Sequence, residues 1–135
     1  MRTSWIIPAA ASLMLGLCQC QKAGPVVWPE VSALDELAEK AEGLAEQKDL
    51  KGMRSLAPAL RPIGMKVVED PVPSNVQNPA AVAQLLHDLK DLMTKLDKPE
   101  ALSDADLQVL VAGVHPIVEE LILKAGMPHV HEKHP

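Results

Sequence analysis

The stretch Asn78-Pro-Ala-Ala-Val-Ala-Gln-Leu-Leu-His-Asp-Leu-Lys-Asp-Leu-Met-Thr-Lys-Leu96 decides the fold. Asn followed by Pro is typical of a helix start, because the Asn side chain caps the first turn and Pro fits its first position. Apolar side chains then recur every three or four residues and form one stripe, made of Val82, Leu85, Leu86, Leu89, Leu92, Met93 and Leu96. This spacing predicts an amphipathic helix that Lys98-Pro99 ends.

A fourth helix is predicted directly after this one. Ser103 with Asp106 is typical of a helix start. Gly126, with Pro128 two residues later, is typical of a helix end. Gly113 and Pro116 predict a kink in the middle of this helix. Its apolar residues extend well beyond one face: Leu107, Val109, Leu110, Val111, Val114, Ile117, Val118, Leu121, Ile122 and Leu123. Such a helix is either the most central element or the face of a homodimer.

Two further helices are predicted before residue 70. The first covers residues 33–47 with Ser32 as its cap, and the second begins after Asp49. Pro58 and Pro62 interrupt the second pattern, which predicts a kink or two shorter helices. Short links join the first helix to the second and the third to the fourth, so each pair should form an antiparallel hairpin. We therefore expect an all-α protein, an up-down four-helix bundle over residues 31–127.

The composition excludes several classes of function. The chain has 135 residues and a formal net charge of −5, which argues against a nucleic-acid binder that neutralises phosphates. It contains no C-x-x-C-H motif and no Gly-rich phosphate loop, so we expect neither haem nor a nucleotide. No pairing of a nucleophile with a base is evident, and we expect that the protein is not an enzyme.

Residues 1–20 are predicted to be an export signal. Arg2 gives a positive start, and residues 5–17 carry no charge. This run is shorter than the roughly 20 apolar residues that span a bilayer, and it matches the apolar segment of a secretory signal, about 7–15 residues long. Residues 21–30 contain Gly24, Pro25 and Pro29 and are interpreted as a tether. The sequence therefore predicts an exported bacterial protein.

The two cysteines, Cys18 and Cys20, end this segment in the sequence Leu-Gly-Leu-Cys-Gln-Cys. A Cys directly after an apolar run resembles the lipobox of bacterial lipoproteins, although Leu17 and Gln19 stand where the lipobox has a small residue. This resemblance covers residues 15–20 and implies a lipid on Cys18 or Cys20 that anchors the protein to a membrane. Ordinary cleavage after Cys20 is the alternative, and it predicts a free periplasmic protein.

The C-terminal tail, residues 128–135, carries the clearest candidate site. It contains His129, His131 and His134, and residues two apart project to the same side of an extended chain. Neutral imidazole suits Cu(II), Ni(II) and Zn(II). The sequence therefore predicts that the protein binds or buffers a divalent transition metal through these histidines. The alternative is a structural or interaction protein of the envelope in which the tail has no metal role.

His87 and His115 suggest a second metal or haem site, since they lie at similar heights in the predicted hairpin of the third and fourth helices. At about 100° per residue, however, both lie well away from the apolar stripes of their helices. The spacing therefore predicts two surface or edge histidines that do not meet.

Overall fold

The computed structural model describes residues 24–128, and this part of the chain is all-helical. Its α-helices are α1 (Pro29–Glu46), α2 (Leu50–Glu69), α3 (Pro79–Lys95), α4 (Asp104–Ala112) and α5 (Val114–Ala125), with a short 3₁₀ helix, Pro99–Ala101, between α3 and α4. They pack around one apolar core as a helical bundle. This confirms the predicted all-α class over the described residues.

The first helix begins earlier than its sequence pattern predicts. Pro29, not residue 33, is its first residue, and Ser32 lies inside it with Oγ 3.4 Å from the carbonyl oxygen of Trp28. Proline presets the backbone angle of a first helical residue, so the chain enters the helix there. Trp28 and Val26 are buried, at 2% and 4% exposure. The segment just before α1 is therefore part of the core.

The second helix is continuous through both of its prolines. Pro58 and Pro62 lie inside α2, so of the two outcomes expected from them the division into two shorter helices is wrong, and one element of 20 residues covers the segment. Each proline removes an N–H that would donate to the carbonyl four residues earlier. Both prolines are exposed, and water can therefore hydrate the freed carbonyls on that face.

The boundaries of the third and fourth predicted helices are confirmed. The Asn78 side chain accepts a hydrogen bond from the backbone N–H of Ala81, and Ser103 accepts one from Asp106. The predicted kink is a break at Gly113, where α4 ends and α5 begins. Gly126 ends α5 with φ of 78°, a left-handed conformation that glycine adopts without strain.

Polar contacts show which helix ends meet. The backbone N–H groups of Gln77 and Asn78 donate to the carbonyls of Ala125 and Lys124, each at 3.1 Å, so α3 begins where α5 ends. Lys66 near the end of α2 lies 3.9 Å from Glu30 at the start of α1. These neighbours therefore run in opposite directions. The helix α5 packs on α1 and α3, while α4 packs on α1 and α2.

Arg54 on α2 fixes the loop between α3 and α4. Its guanidinium donates to the carbonyl of Pro99 at 2.7 Å, to that of Leu102 at 3.1 Å and to the Asp104 carboxylate at 2.7 Å. We expect Arg54→Met to lower the free energy of unfolding by about 1–3 kcal/mol, because it removes charged hydrogen bonds from two part-buried carbonyls. Urea denaturation of the full chain measures this change.

Arg61 is the matched control, since its side chain is exposed to a similar degree but makes one ion pair, with Asp97 at 3.0 Å. Exposed pairs of this kind contribute about 0–1 kcal/mol. Arg61→Met should therefore cost clearly less than Arg54→Met, and equal losses would show that the carbonyl contacts of Arg54 add nothing.

Candidate functional site

The residues that the sequence marks as candidate ligands and lipid sites lie outside residues 24–128; they are His129, His131, His134, Cys18 and Cys20. The structure does describe where the tail leaves the bundle. The backbone N–H of Met127 donates to the carbonyl of Ile122 at 3.0 Å, and Met127 packs against the core. Pro128, the last described residue, is exposed. The histidine tail thus follows directly on a well-packed helix end.

His87 lies on the surface of α3, as predicted. Its side chain is 65% exposed, and its Nε2 atom lies 3.7 Å from the Asp91 carboxylate one turn later. It faces solvent, whereas His115 is buried, so the two imidazoles do not line one site.

His115 is buried, and the prediction of a surface or edge position is wrong for this residue. It is 7% exposed and is the one buried polar side chain among residues 24–128. Its Nδ1 atom lies 2.7 Å from Oε2 of Glu42 on α1. The helical spacing relates His115 only to the apolar stripe that was expected to face α3. The helix α5 also packs against α1, and His115 points to that second neighbour.

Three carboxylates surround this imidazole. Besides Glu42, the Nε2 atom lies 4.0 Å from Oδ1 of Asp35 on α1 and 3.8 Å from Oε1 of Glu119, one turn further along α5. The two longer distances exceed hydrogen-bond length, and Nε2 has no hydrogen-bond partner within the described bundle. The imidazole therefore joins α5 to α1 chiefly through the Glu42 contact.

This cluster is a polar contact between α5 and α1 at the edge of the core. Its members are one imidazole and three carboxylates, which can hold or pass a proton but offer no hydroxyl or thiol nucleophile. Across the described chain, no group of three or more His, Cys, Asp or Glu side chains is placed to hold a metal ion. Within residues 24–128, His115 thus forms a polar contact between α5 and α1.

A sequence signal for the cluster existed but was ambiguous. Asp35 and Glu42 are seven residues apart, which places them on one side of α1 beside its buried stripe. His115 and Glu119 are one turn apart on α5. The spacing shows that each pair shares a face, but not that the two faces meet.

Comparison with known proteins gives no relative. No protein family, no curated protein and no solved structure matches this chain. None of the described helices is long and apolar enough to cross a membrane. The candidate functions therefore rest on the residues and geometry of this chain alone.

An open apolar groove runs between α3 and α4, and we call it the α3–α4 groove. Its floor is formed by Leu92, Leu102, Val109, Leu110, Gly113 and Ile117. The charged residues at its rim are Asp88, Asp91, Lys95 and Asp106. Val109 within it is 71% exposed, an exposure that only Val27 equals among the large apolar side chains of residues 24–128.

The break at Gly113 explains why this groove exists. Beyond the break, α5 packs on α3, whereas before it α4 packs on α1 and α2. The gap is thus left beside the second half of α3. A Cβ atom at Gly113 would lie 3.3 Å from Cδ1 of Leu92 and 3.2 Å from the carbonyl oxygen of Val109. Glycine therefore lets the junction approach α3 closely at the end of the groove.

Proposed function

We propose that this protein is an exported up-down four-helix bundle that binds or buffers a divalent transition-metal ion through His129, His131 and His134. The observation that carries the proposal is the concentration of three histidines directly after the last helix, compared with two in residues 24–128. Imidazole nitrogens bind Cu(II), Ni(II) and Zn(II), and Cu(II) most tightly. A catalytic role is not part of the proposal.

The end of α5 supports this proposal by giving the tail a defined starting point. Gly126 ends the helix, and the carbonyls of Lys124 and Ala125 accept hydrogen bonds from the start of α3. The chain between this anchored end and His129 is only Met127 and Pro128. Proline restricts the backbone next to the first proposed ligand, which reduces the entropy that a metal ion must overcome to order the tail.

Calorimetric titration of the full chain with Cu(II), Ni(II) and Zn(II) tests the proposal. We expect a site tighter than about 1 μM, roughly 8 kcal/mol of binding free energy. The variant with His129→Ala, His131→Ala and His134→Ala should lose it. The matched control is His87→Ala, which removes an exposed histidine from the bundle and should leave the titration unchanged. Equal weak heats from the wild type and the triple variant would contradict metal binding as the function.

Export is the second part of the proposal. Residues 1–20 direct the protein out of the cytoplasm, and it then resides either free in the periplasm or on a membrane through a lipid on Cys18 or Cys20. The positive start and short apolar run of this segment support export. The cysteines at its end support lipid attachment by their resemblance to the lipobox.

A second candidate function is an interaction protein of the envelope, with or without a lipid anchor. The observation that favours it is the α3–α4 groove, where the exposed side chain of Val109 lies beside the charged residues of the rim. The fourth predicted helix, which comprises α4 and α5, provides one side of this groove. Its binding partner is either a second copy of the chain or another protein.

A further inference from the structure

We propose that the α3–α4 groove binds an amphipathic helix whose apolar stripe is flanked by lysine or arginine. This inference is independent of the metal-binding proposal, because no residue of the groove belongs to the histidine tail. It rests on three properties of the groove: the apolar lining shared by its two adjoining parts, its length and the charge of its rim.

The groove consists of two adjoining depressions that follow α4 and the start of α5. Its two halves have volumes of about 370 Å³ and about 390 Å³, and Lys95, Val109 and Leu110 line both. Leu102 and Ile117 are fifteen residues apart, which corresponds to at most about 22 Å of helical rise, the length of about four turns of a bound helix.

A helix is the form of partner that this surface accepts. The described chain has no β-strand, so it offers no strand edge for an extended peptide to join. A floor of Leu92, Val109 and Leu110 between two helices instead suits apolar side chains that recur at helical spacing. An apolar centre with a charged rim is also the usual layout of a protein interface.

The rim selects a basic partner. Asp88, Asp91 and Asp106 line the groove together with one lysine, Lys95. Asp88 and Asp91 are both exposed. His87 lies 3.7 Å from Asp91, and Gln84 donates to Asp88 at 3.0 Å. A second copy of this chain is disfavoured, since it carries a net charge of −5 and would bring the same carboxylates against themselves.

Fluorescence anisotropy with two synthetic peptides tests the proposal. One is an amphipathic helix of leucine and lysine, and the other has the same leucines with glutamate for lysine. We expect the full chain, with a chelator present, to bind the lysine peptide at least about tenfold more tightly. Binding should weaken as salt rises, and Asp88→Asn with Asp91→Asn should weaken it further.

Two equally exposed valines provide the matched variants. Val109 lies in the groove and Val27 lies before α1, each at 71% exposure. Val109→Gln should weaken the binding of the lysine peptide about tenfold, because it removes an apolar contact at the centre of the groove. Val27→Gln should leave the affinity for this peptide unchanged.

The proposal is overturned if both peptides bind equally, if neither binds saturably, or if Val109→Gln has no more effect than Val27→Gln. It is also overturned if the protein alone forms a dimer in sedimentation that Val109→Gln abolishes, since a second copy would then be the occupant.

Discussion

Replacing Trp28 by alanine is expected to lower the free energy of unfolding by about 3–5 kcal/mol. The indole is 2% exposed and packs in the core, although it precedes the first helix. Its removal leaves a cavity that the surrounding helices fill only in part. Small domains are stable by about 5–15 kcal/mol, so a loss of this size removes a large part of the stability of the fold. Urea denaturation followed by circular dichroism measures the change.

Val27→Ala is the control for this prediction. Val27 is the neighbour of Trp28 but is 71% exposed, and substitutions at such positions change stability by about 0.5 kcal/mol or less. If Trp28→Ala costs no more than Val27→Ala, the residues before Pro29 are a tether that does not contribute to the core.

The second large effect is expected at His115. We predict that His115→Ala lowers the free energy of unfolding by about 2–4 kcal/mol, because it leaves a cavity between α1 and α5 and removes the 2.7 Å contact with Glu42. His87→Ala, which removes the exposed histidine of α3, should cost about 0.5 kcal/mol or less.

A double-mutant cycle separates the Glu42 contact from packing. His115→Leu keeps most of the side-chain volume, and Glu42→Gln keeps the shape of its partner while removing the charge. A coupling free energy of about 1 kcal/mol between the two substitutions is expected if the contact itself stabilises the folded state. Coupling near zero would mean that His115 stabilises the bundle by volume alone.

Local signals in the sequence predicted the helix boundaries that depend on local chemistry. Asn78, Ser103 and Gly126 each determine a helix end through their own side chain or backbone conformation, and all three act as expected. The start of α1 was wrong because two local signals competed: Ser32 suggested a cap, but Pro29 already begins the helix.

Features that depend on neighbouring helices could not be derived in this way. The effect of Pro58 and Pro62 depends on whether the freed carbonyls face water, which the pattern does not give. His115 was misplaced because its buried face is set by α1, a partner that is distant in sequence. Gly113 predicted a break in the fourth helix. The packing of α4 on α1 and α2 then directs it away from α3 and leaves the α3–α4 groove.

The most direct test of the metal-binding proposal is nuclear magnetic resonance of the imidazole groups of the full chain during titration with Zn(II). The protein has five histidines, so each can be followed as an individual reporter of metal binding. The account predicts that His129, His131 and His134 shift together and saturate at equimolar zinc, while His87 and His115 stay unchanged. Saturating shifts at His87 or His115 instead, or only weak unsaturated shifts in the tail, would contradict it.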